Sequence, residues 1–234
     1  MDTLPQTLVK YFVYALIGNI ETLATKEFGV RLINAYFDKC LLKKGSDSTA
    51  QTYMNDLCFA ILKHAHTLIP HRFGWFIFYH LLRCHAPVLI TDAIKENLKG
   101  KYHKYCKSEF ASKIVEQCIE HSRKLSEINK NESQDWATVI VGEILFKCED
   151  LVSDKYGKHV FHLALLTKVS PSLTALKDSA NRVYVKHVKS VRQTPSFYEF
   201  GDDIGSEDEQ EIYTENFKMD QNEILEYMEY PVFS

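Results

Sequence analysis

The stretch EFASKIVEQCI, residues 109–119, decides the fold of this chain. It starts with a charged residue, continues with the aromatic Phe110 and then has the small residue Ala111. Ile114 and Val115 follow the aromatic residue at four and five positions, a spacing that places both on one face of an α-helix. The small residue leaves room for a neighbouring helix to approach closely. The stretch therefore predicts a helix that packs against other helices.

Three other segments align with this stretch without a gap. Each has a charged residue, an aromatic residue, a small residue and an apolar pair at the same offsets. The segments are KEFGVRLINAYF from Lys26, RFGWFIFYHLL from Arg72 and KYGKHVFHLAL from Lys155. Their apolar pairs are Leu32–Ile33, Ile77–Phe78 and Val160–Phe161. An aromatic residue that recurs every 37 to 46 positions indicates a structural repeat.

An amphipathic run precedes each of the four segments, so that each repeat reads as a pair of helices. The runs lie at roughly residues 8–23, 53–68, 87–102 and 136–151. A helix pair that cannot close its own core must stack on its neighbours. The sequence therefore predicts an all-α solenoid in which equivalent side chains line one concave face. An irregular helical bundle with chance similarity is the alternative.

The charge of the chain is divided between a basic body and an acidic end. Residues 1–198 carry a net charge of +8, and residues 199–234 carry −11. Residues 172–192 predict one more helix, rich in basic residues, that covers the last repeat. Residues 193–234 predict an acidic, disordered tail. A basic body suits a polyanionic partner, although a solvated surface with a solubilising tail is the alternative.

Several functional classes find no support in the sequence. No run of 18 apolar residues exists and the start lacks a signal-peptide pattern, so we expect an intracellular protein without a membrane partner. The six cysteines include no C-x-x-C pair and are expected to be reduced thiols, several of them buried. No phosphate-loop, dinucleotide, zinc-protease or serine-hydrolase motif occurs. We therefore predict no catalytic residue, no metal, no cofactor and no enzymatic activity.

The segment FASKIVEQCI resembles the second helix of a repeat of the Pumilio (PUF) family. The YG-x-H-V run at Tyr156 and the basic helix after it are similar to the end of that family's repeat array. The resemblance covers about residues 8–192 and implies a right-handed superhelical α-solenoid. Its four repeats would occupy roughly residues 8–42, 53–86, 87–128 and 135–168. Because family members usually carry eight repeats, the chain resembles the C-terminal half of such an array.

The resemblance also implies a set of RNA-binding residues. In the family, the first and fifth residues of a five-residue stretch on each second helix contact a base edge, and the second residue stacks on the base. On this pattern Ser112 and Glu116 read a guanine, and Lys113 lies over the base plane. The equivalent residues depart from the family code, and they are Val30, Arg31 and Asn34 in the first repeat, Trp75, Phe76 and Tyr79 in the second, and Lys158, His159 and His162 in the fourth.

The function implied by the resemblance is post-transcriptional regulation of mRNA, by translation repression or decay, in the cytoplasm. The implied partner is single-stranded RNA, with mRNA 3′ untranslated regions as targets and protein effectors beside them, and no DNA partner is expected. Two alternatives stay open. One is a low-specificity RNA binder in nucleolar ribosome assembly, and the other is a helical-repeat scaffold that binds proteins.

Overall fold

The structure, a computed structural model, describes residues 6–42, 48–84, 86–128 and 136–193. Within these ranges the chain forms α-helices and one 3₁₀ turn, without a strand, and the predicted all-α fold class is confirmed. None of these helices is both long enough and apolar enough to cross a bilayer. The predicted acidic tail, apart from Gln193, lies outside the described residues.

Four repeats follow one another, and each contains a first helix, a short helix and a second helix. The first helices are α1 (Gln6–Gly18), α4 (Ser48–Lys63), α7 (Val88–Leu98) and α10 (Trp136–Phe146). The short helices are α2 (Ile20–Leu23), α5 (Ala65–Leu68), α8 (Tyr102–Cys106) and α11 (Cys148–Leu151). The second helices are α3 (Glu27–Leu42), α6 (Trp75–Arg83), α9 (Ala111–Ile128) and α12 (Gly157–Leu166).

The sequence predicts one helix for each amphipathic run, and the structure instead divides the runs of repeats 1, 2 and 4 into two helices, whereas the run of repeat 3 ends where α8 begins. Asn19, His64 and Lys147 separate the two helices in repeats 1, 2 and 4, with φ angles of −120°, −103° and −111°. In repeat 3 the break is longer and includes Gly100, whose φ of 76° lies in the left-handed region that favours glycine. Apolar periodicity continues through these bends, so the sequence pattern does not reveal them.

The repeats stack side by side through their second helices, and repeats 1, 2 and 3 also through their first helices. The second helices contact one another in chain order, α3 with α6, α6 with α9 and α9 with α12, while α1 contacts α4 and α4 contacts α7. Ile33, Phe78, Val115 and Phe161 occupy the same position of the four second helices, and all are fully buried. The preceding apolar position is less uniform, since Leu32 is 43% exposed in the first repeat. The stacked arrangement is that of a helical-repeat solenoid.

The small residue near the start of each second helix allows close approach to the short helix before it. A Cβ atom on Gly74 would lie 2.6 Å from the carbonyl oxygen of Leu68, the last residue of α5. A Cβ atom on Gly29 would collide with the carbonyl group of Leu23, the last residue of α2. The predicted role of the small residue is therefore confirmed at these two positions.

A final helix, α13 (Thr174–Gln193), follows the fourth repeat after a 3₁₀ turn at Pro171–Leu173. It lies where the sequence predicts the basic flanking helix. The Tyr184 ring lies 6.2 Å from the Phe161 ring of α12, and the Lys177 ammonium donates to the Thr167 carbonyl oxygen at 2.9 Å. These contacts hold α13 on the last repeat.

Candidate functional site

The predicted RNA-binding residues lie in the first turns of the four second helices. Because these helices contact one another in chain order, their first turns form a row that runs across the repeats. Repeat proteins use such rows of equivalent side chains as extended binding surfaces. What each repeat presents in this row depends on the burial and contacts of the individual side chains.

Repeats 2 and 3 bring their predicted residues together around the indole ring of Trp75. Phe76 stacks on this ring at 4.0 Å between centroids, and Tyr79 meets it edge-on at 5.5 Å. From repeat 3, the Lys113 ammonium lies 5.5 Å above the Trp75 ring and the Phe110 ring lies 6.4 Å away. This aromatic cluster therefore joins the stacking position of one repeat to the aromatic residues of the repeat before it.

Trp75 itself is 3% exposed, and its indole N–H has no hydrogen-bond partner among the described residues. Buried donors are nearly always paired in folded proteins. The adjacent Phe76 and Tyr79 side chains are half-buried and thus reach the surface. The cluster combines accessible aromatic rings with a cation, a combination that suits the stacking of a planar, electron-rich group.

The guanine-reading pair predicted in repeat 3 is only partly accessible. Ser112 is 5% exposed, and its hydroxyl donates to the Glu109 carbonyl oxygen at 3.1 Å, so the oxygen retains only its acceptor capacity. Glu116 is half-buried. Burial first, and the Glu116 carboxylate second, raise the pKa of the Cys106 thiol, which places this carboxylate close to the repeat core. Glu116 is therefore the stronger hydrogen-bonding group of the pair.

The first repeat presents one buried and two half-buried predicted residues. Val30 is 4% exposed. The Arg31 guanidinium donates to the Glu27 carboxylate at 2.8 Å, one turn earlier on the same helix. The amide oxygen of Asn34 is buried and has no hydrogen-bond partner among the described residues. Arg31 is held in place by its ion pair, and Asn34 has an acceptor to offer to a ligand.

The fourth repeat has the most exposed set of predicted residues. Lys158 and His159 are exposed, and His162 is half-buried. The His162 ring lies 5.9 Å from the Tyr184 ring of α13, so the flanking helix extends the row past the last repeat. A lysine, two histidines and a tyrosine can contact phosphate and base groups together.

A common pattern holds for the twelve predicted residues. The first position is buried in repeats 1, 2 and 3, at Val30, Trp75 and Ser112, whereas the second and fifth positions reach the surface in every repeat. The row thus exposes its second and fifth positions and buries most of its first positions. Direct contact by the first position is restricted to Lys158 in repeat 4. The role of each residue in binding RNA stays a prediction.

Solved structures with a similar fold include three complexes of RNA-binding domains. The Puf3 RNA-binding domain bound to Cox17 RNA at site A matches with a TM-score of 0.57 and 17% identity over 87% of this chain. The yeast Puf5p RNA-binding domain bound to SMX2 RNA matches with a TM-score of 0.58 and 16% identity over 79% of this chain. The Puf3 domain bound to Cox17 RNA at site B gives 0.55 and 20% over 83%. This chain has a PUF-type fold.

The PUF-type fold confirms the architecture that the sequence resemblance implies. The chain spans about half the length of these solved structures, 53% for the Puf3 site A complex and 53% for Puf5p. A comparison of the sequence with protein-family models finds no match, and neither does a comparison with the curated proteins. The identity to the solved structures is 16% to 20%.

Two residues of the row were not predicted as site residues from the sequence. Phe110 contacts Trp75 and Tyr184 contacts His162. The sequence could have identified Phe110, because it is the repeated aromatic residue directly before the small residue of its segment. No sequence pattern identifies Tyr184, since it lies in the flanking helix and comes close to His162 only through the packing of α13 on α12.

Proposed function

We propose that the chain binds single-stranded RNA along the row formed by the first turns of α3, α6, α9 and α12. The observation that carries this proposal is the aromatic cluster of Trp75, Phe76, Tyr79 and Phe110 with Lys113 above the indole ring at 5.5 Å. Stacking of a base on an aromatic ring contributes about 1–3 kcal/mol. The solved structures with the same fold are, by their descriptions, bound to RNA.

Base identity would be read mainly by Glu116 in repeat 3. A carboxylate accepts two hydrogen bonds from the Watson–Crick edge of guanine, which is exposed in unpaired RNA. Ser112 would not contact the base directly, because it is 5% exposed and its hydroxyl donates to the Glu109 carbonyl oxygen. Repeats 1, 2 and 4 would contribute affinity through stacking, through the Asn34 amide oxygen and through Lys158. We therefore expect a short RNA motif in which one guanine dominates specificity.

The biological role that we propose is post-transcriptional regulation of mRNA in the cytoplasm, through sites in 3′ untranslated regions and with protein effectors. This proposal rests on the resemblance of Phe110–Ile119 to a PUF second helix. The competing role is a scaffold that binds a protein through the same aromatic cluster. The observation that favours the scaffold is the burial of Val30, Trp75 and Ser112, because buried side chains at these first positions cannot contact a base directly.

The test begins with selection of RNA by the full chain from a random single-stranded pool. The enriched oligomer is then labelled, and fluorescence anisotropy measures Kd for the chain and for Glu116→Ala and Lys113→Ala. Loss of a contact worth about 1–3 kcal/mol predicts a Kd about 5- to 150-fold weaker for Glu116→Ala, together with a reduced preference for guanine over adenine. The affinity should also fall as salt rises, because phosphate contacts release counterions.

Matched controls separate the site from general charge effects. Glu96→Ala in α7 and Lys104→Ala in α8 remove the same charges from exposed positions of the other helices. We expect both controls to bind within about twofold of the unchanged chain. Two results would overturn the RNA proposal and leave the scaffold. One is that the chain enriches no RNA from the pool and binds none in a salt-dependent way. The other is that the control variants lose as much RNA affinity as Glu116→Ala and Lys113→Ala.

A further inference from the structure

Three side chains with metal-ligating atoms meet at the contact between repeats 1 and 2. Asp38 lies on α3, His80 lies on α6 and Cys84 directly follows α6. One ligand atom from each of the three lies within 4.8 Å of the others. The two repeats are joined there by a hydrogen bond of 2.9 Å between the His80 Nε2 and the Asp38 carboxylate. We propose that these residues form a binding site for a zinc ion that ties α3 to α6.

The donor set fits zinc better than the hard divalent cations. A thiolate, an imidazole and a carboxylate are the three ligand types that Zn²⁺ takes in proteins, at about 2.3 Å for sulfur and about 2.0–2.2 Å for nitrogen and oxygen. Mg²⁺ and Ca²⁺ prefer sites made of oxygen atoms. The side chain of Asp38 is 52% exposed, so that water can reach the fourth position. Three protein ligands and one water complete a tetrahedron.

The backbone already places the three ligands for such a site. His80 and Cys84 are four residues apart, and residues at this spacing project from the same side of a helix. His80 is 4% exposed and is held by its hydrogen bond to Asp38, which fixes the orientation of the ring. When both groups bind the ion, the metal replaces the proton shared between His80 Nε2 and the Asp38 carboxylate.

The position of the cysteine sulfur shows which movement metal binding requires. The Cys84 Sγ lies 3.6 Å from His80 Nδ1 and 3.7 Å from Nε2, so it is not in line with either nitrogen lone pair. Cys84 is half-buried and lies just beyond the end of α6. The movement that the proposal requires is a rotation about the Cα–Cβ bond of Cys84. The same out-of-line geometry does not favour a thiol activated by His80 for catalysis.

A metal at this point would set the angle between repeats 1 and 2. Asp38 lies one helical turn after Asn34, and His80 lies one turn after Phe76. The site therefore neighbours the predicted RNA-binding positions of both repeats without including any of them. Metal binding thus does not depend on RNA binding, and either proposal can fail without the other.

The test uses the full, untagged chain after removal of metal with a chelator. One equivalent of Co²⁺ should produce a thiolate-to-cobalt charge-transfer band and the visible bands of a tetrahedral site, and Zn²⁺ should remove both. Cys84→Ser should abolish the charge-transfer band, whereas Cys148→Ser, which removes another half-buried thiol in α11, should retain it. Absence of the band in the unchanged chain, or its survival in Cys84→Ser, would overturn the proposal.

A second variant keeps the proposal testable if Cys84→Ser folds poorly. Asp38→Asn changes a half-exposed side chain and keeps an oxygen that can accept the hydrogen bond from His80. We expect at least a tenfold weaker Zn²⁺ affinity in competition with a chromogenic chelator, since loss of even a supporting group costs about 10–100-fold. We also expect Zn²⁺ to raise the Tm of the unchanged chain more than that of Asp38→Asn. Equal affinity in the two proteins would refute the site.

Discussion

Gly29→Ala should destabilise the chain although it replaces glycine with the best helix former. A Cβ atom at residue 29 would lie 2.7 Å from the carbonyl carbon of Leu23 and 2.8 Å from its Cα atom. Both are backbone atoms, so that no side-chain rotation relieves the collision and α2 must move away from α3. Overpacking of this kind costs about 1–3 kcal/mol. The gain in helix propensity, about 1 kcal/mol, offsets only part of that cost.

Gly18→Ala is the matched control, because it makes the same chemical change without the collision. Gly18 is the last residue of α1, and a Cβ atom there would meet nothing within 4 Å. We expect Gly18→Ala to raise the free energy of unfolding by about 0.4–1 kcal/mol through the lower entropy of the unfolded chain. The two variants should therefore change stability in opposite directions.

Urea denaturation followed by circular dichroism at 222 nm measures both effects on one scale. We expect the midpoint to fall for Gly29→Ala and to rise for Gly18→Ala, with similar slopes for all three proteins. A Gly29→Ala midpoint equal to or above that of the unchanged chain would refute the close approach of α2 and α3. It would also remove the physical reason for the small residue in the repeat.

Two further predictions concern buried ionisable groups. Lys95 is fully buried near Asp92 and Trp136, and burial lowers the pKa of its ammonium group from 10.5. The free-energy cost of burying the charged ammonium is present in full below the pKa of Lys95 in the folded chain, and it disappears as the pH rises to 10.5. Lys95→Met should therefore be more stable to urea than the unchanged chain by about 1–2 kcal/mol at pH 7, and this difference should shrink as the pH rises toward 10.5. A difference that is the same at every pH would contradict the argument. Burial raises the pKa of the Cys58, Cys106 and Cys118 thiols, to about 12 for Cys118. These three thiols should therefore react with a thiol reagent only after the chain unfolds. The half-buried thiols should react in the native state, and they are Cys40, Cys84 and Cys148. Mass spectrometry of labelled peptides gives the rates, and rapid labelling of Cys106 or Cys118 in the native chain would show that the core is open.

The repeat architecture was predictable because its determinants are local in the chain. The order of charged, aromatic, small and apolar residues in EFASKIVEQCI occurs four times in the chain and follows the period of a helix. Gly29 and Gly74 could be assigned to a close approach from this alignment alone. The bends at Asn19, His64 and Lys147 were missed, because a short helix that continues the same apolar face has the same periodicity as an unbroken one.

The candidate site was only partly predictable. The second helices and the positions on them followed from the alignment, whereas the contact of Lys113 with Trp75 of the repeat before it did not. Burial of Val30 and Ser112 did not follow, since the exposure of a side chain at the start of a helix depends on the helix packed beside it.

The sequence by itself determined the helical-repeat fold, the number of repeats and the identity of the second helices. Only the tertiary structure decided which predicted residues reach the surface, and only it placed Asp38 beside His80, 42 residues away in the chain. The physical reason is the distance along the chain over which residues determine each property. Helix formation and amphipathicity depend on neighbours within a few turns, whereas accessibility and side-chain constellations depend on how separate helices pack across repeat boundaries.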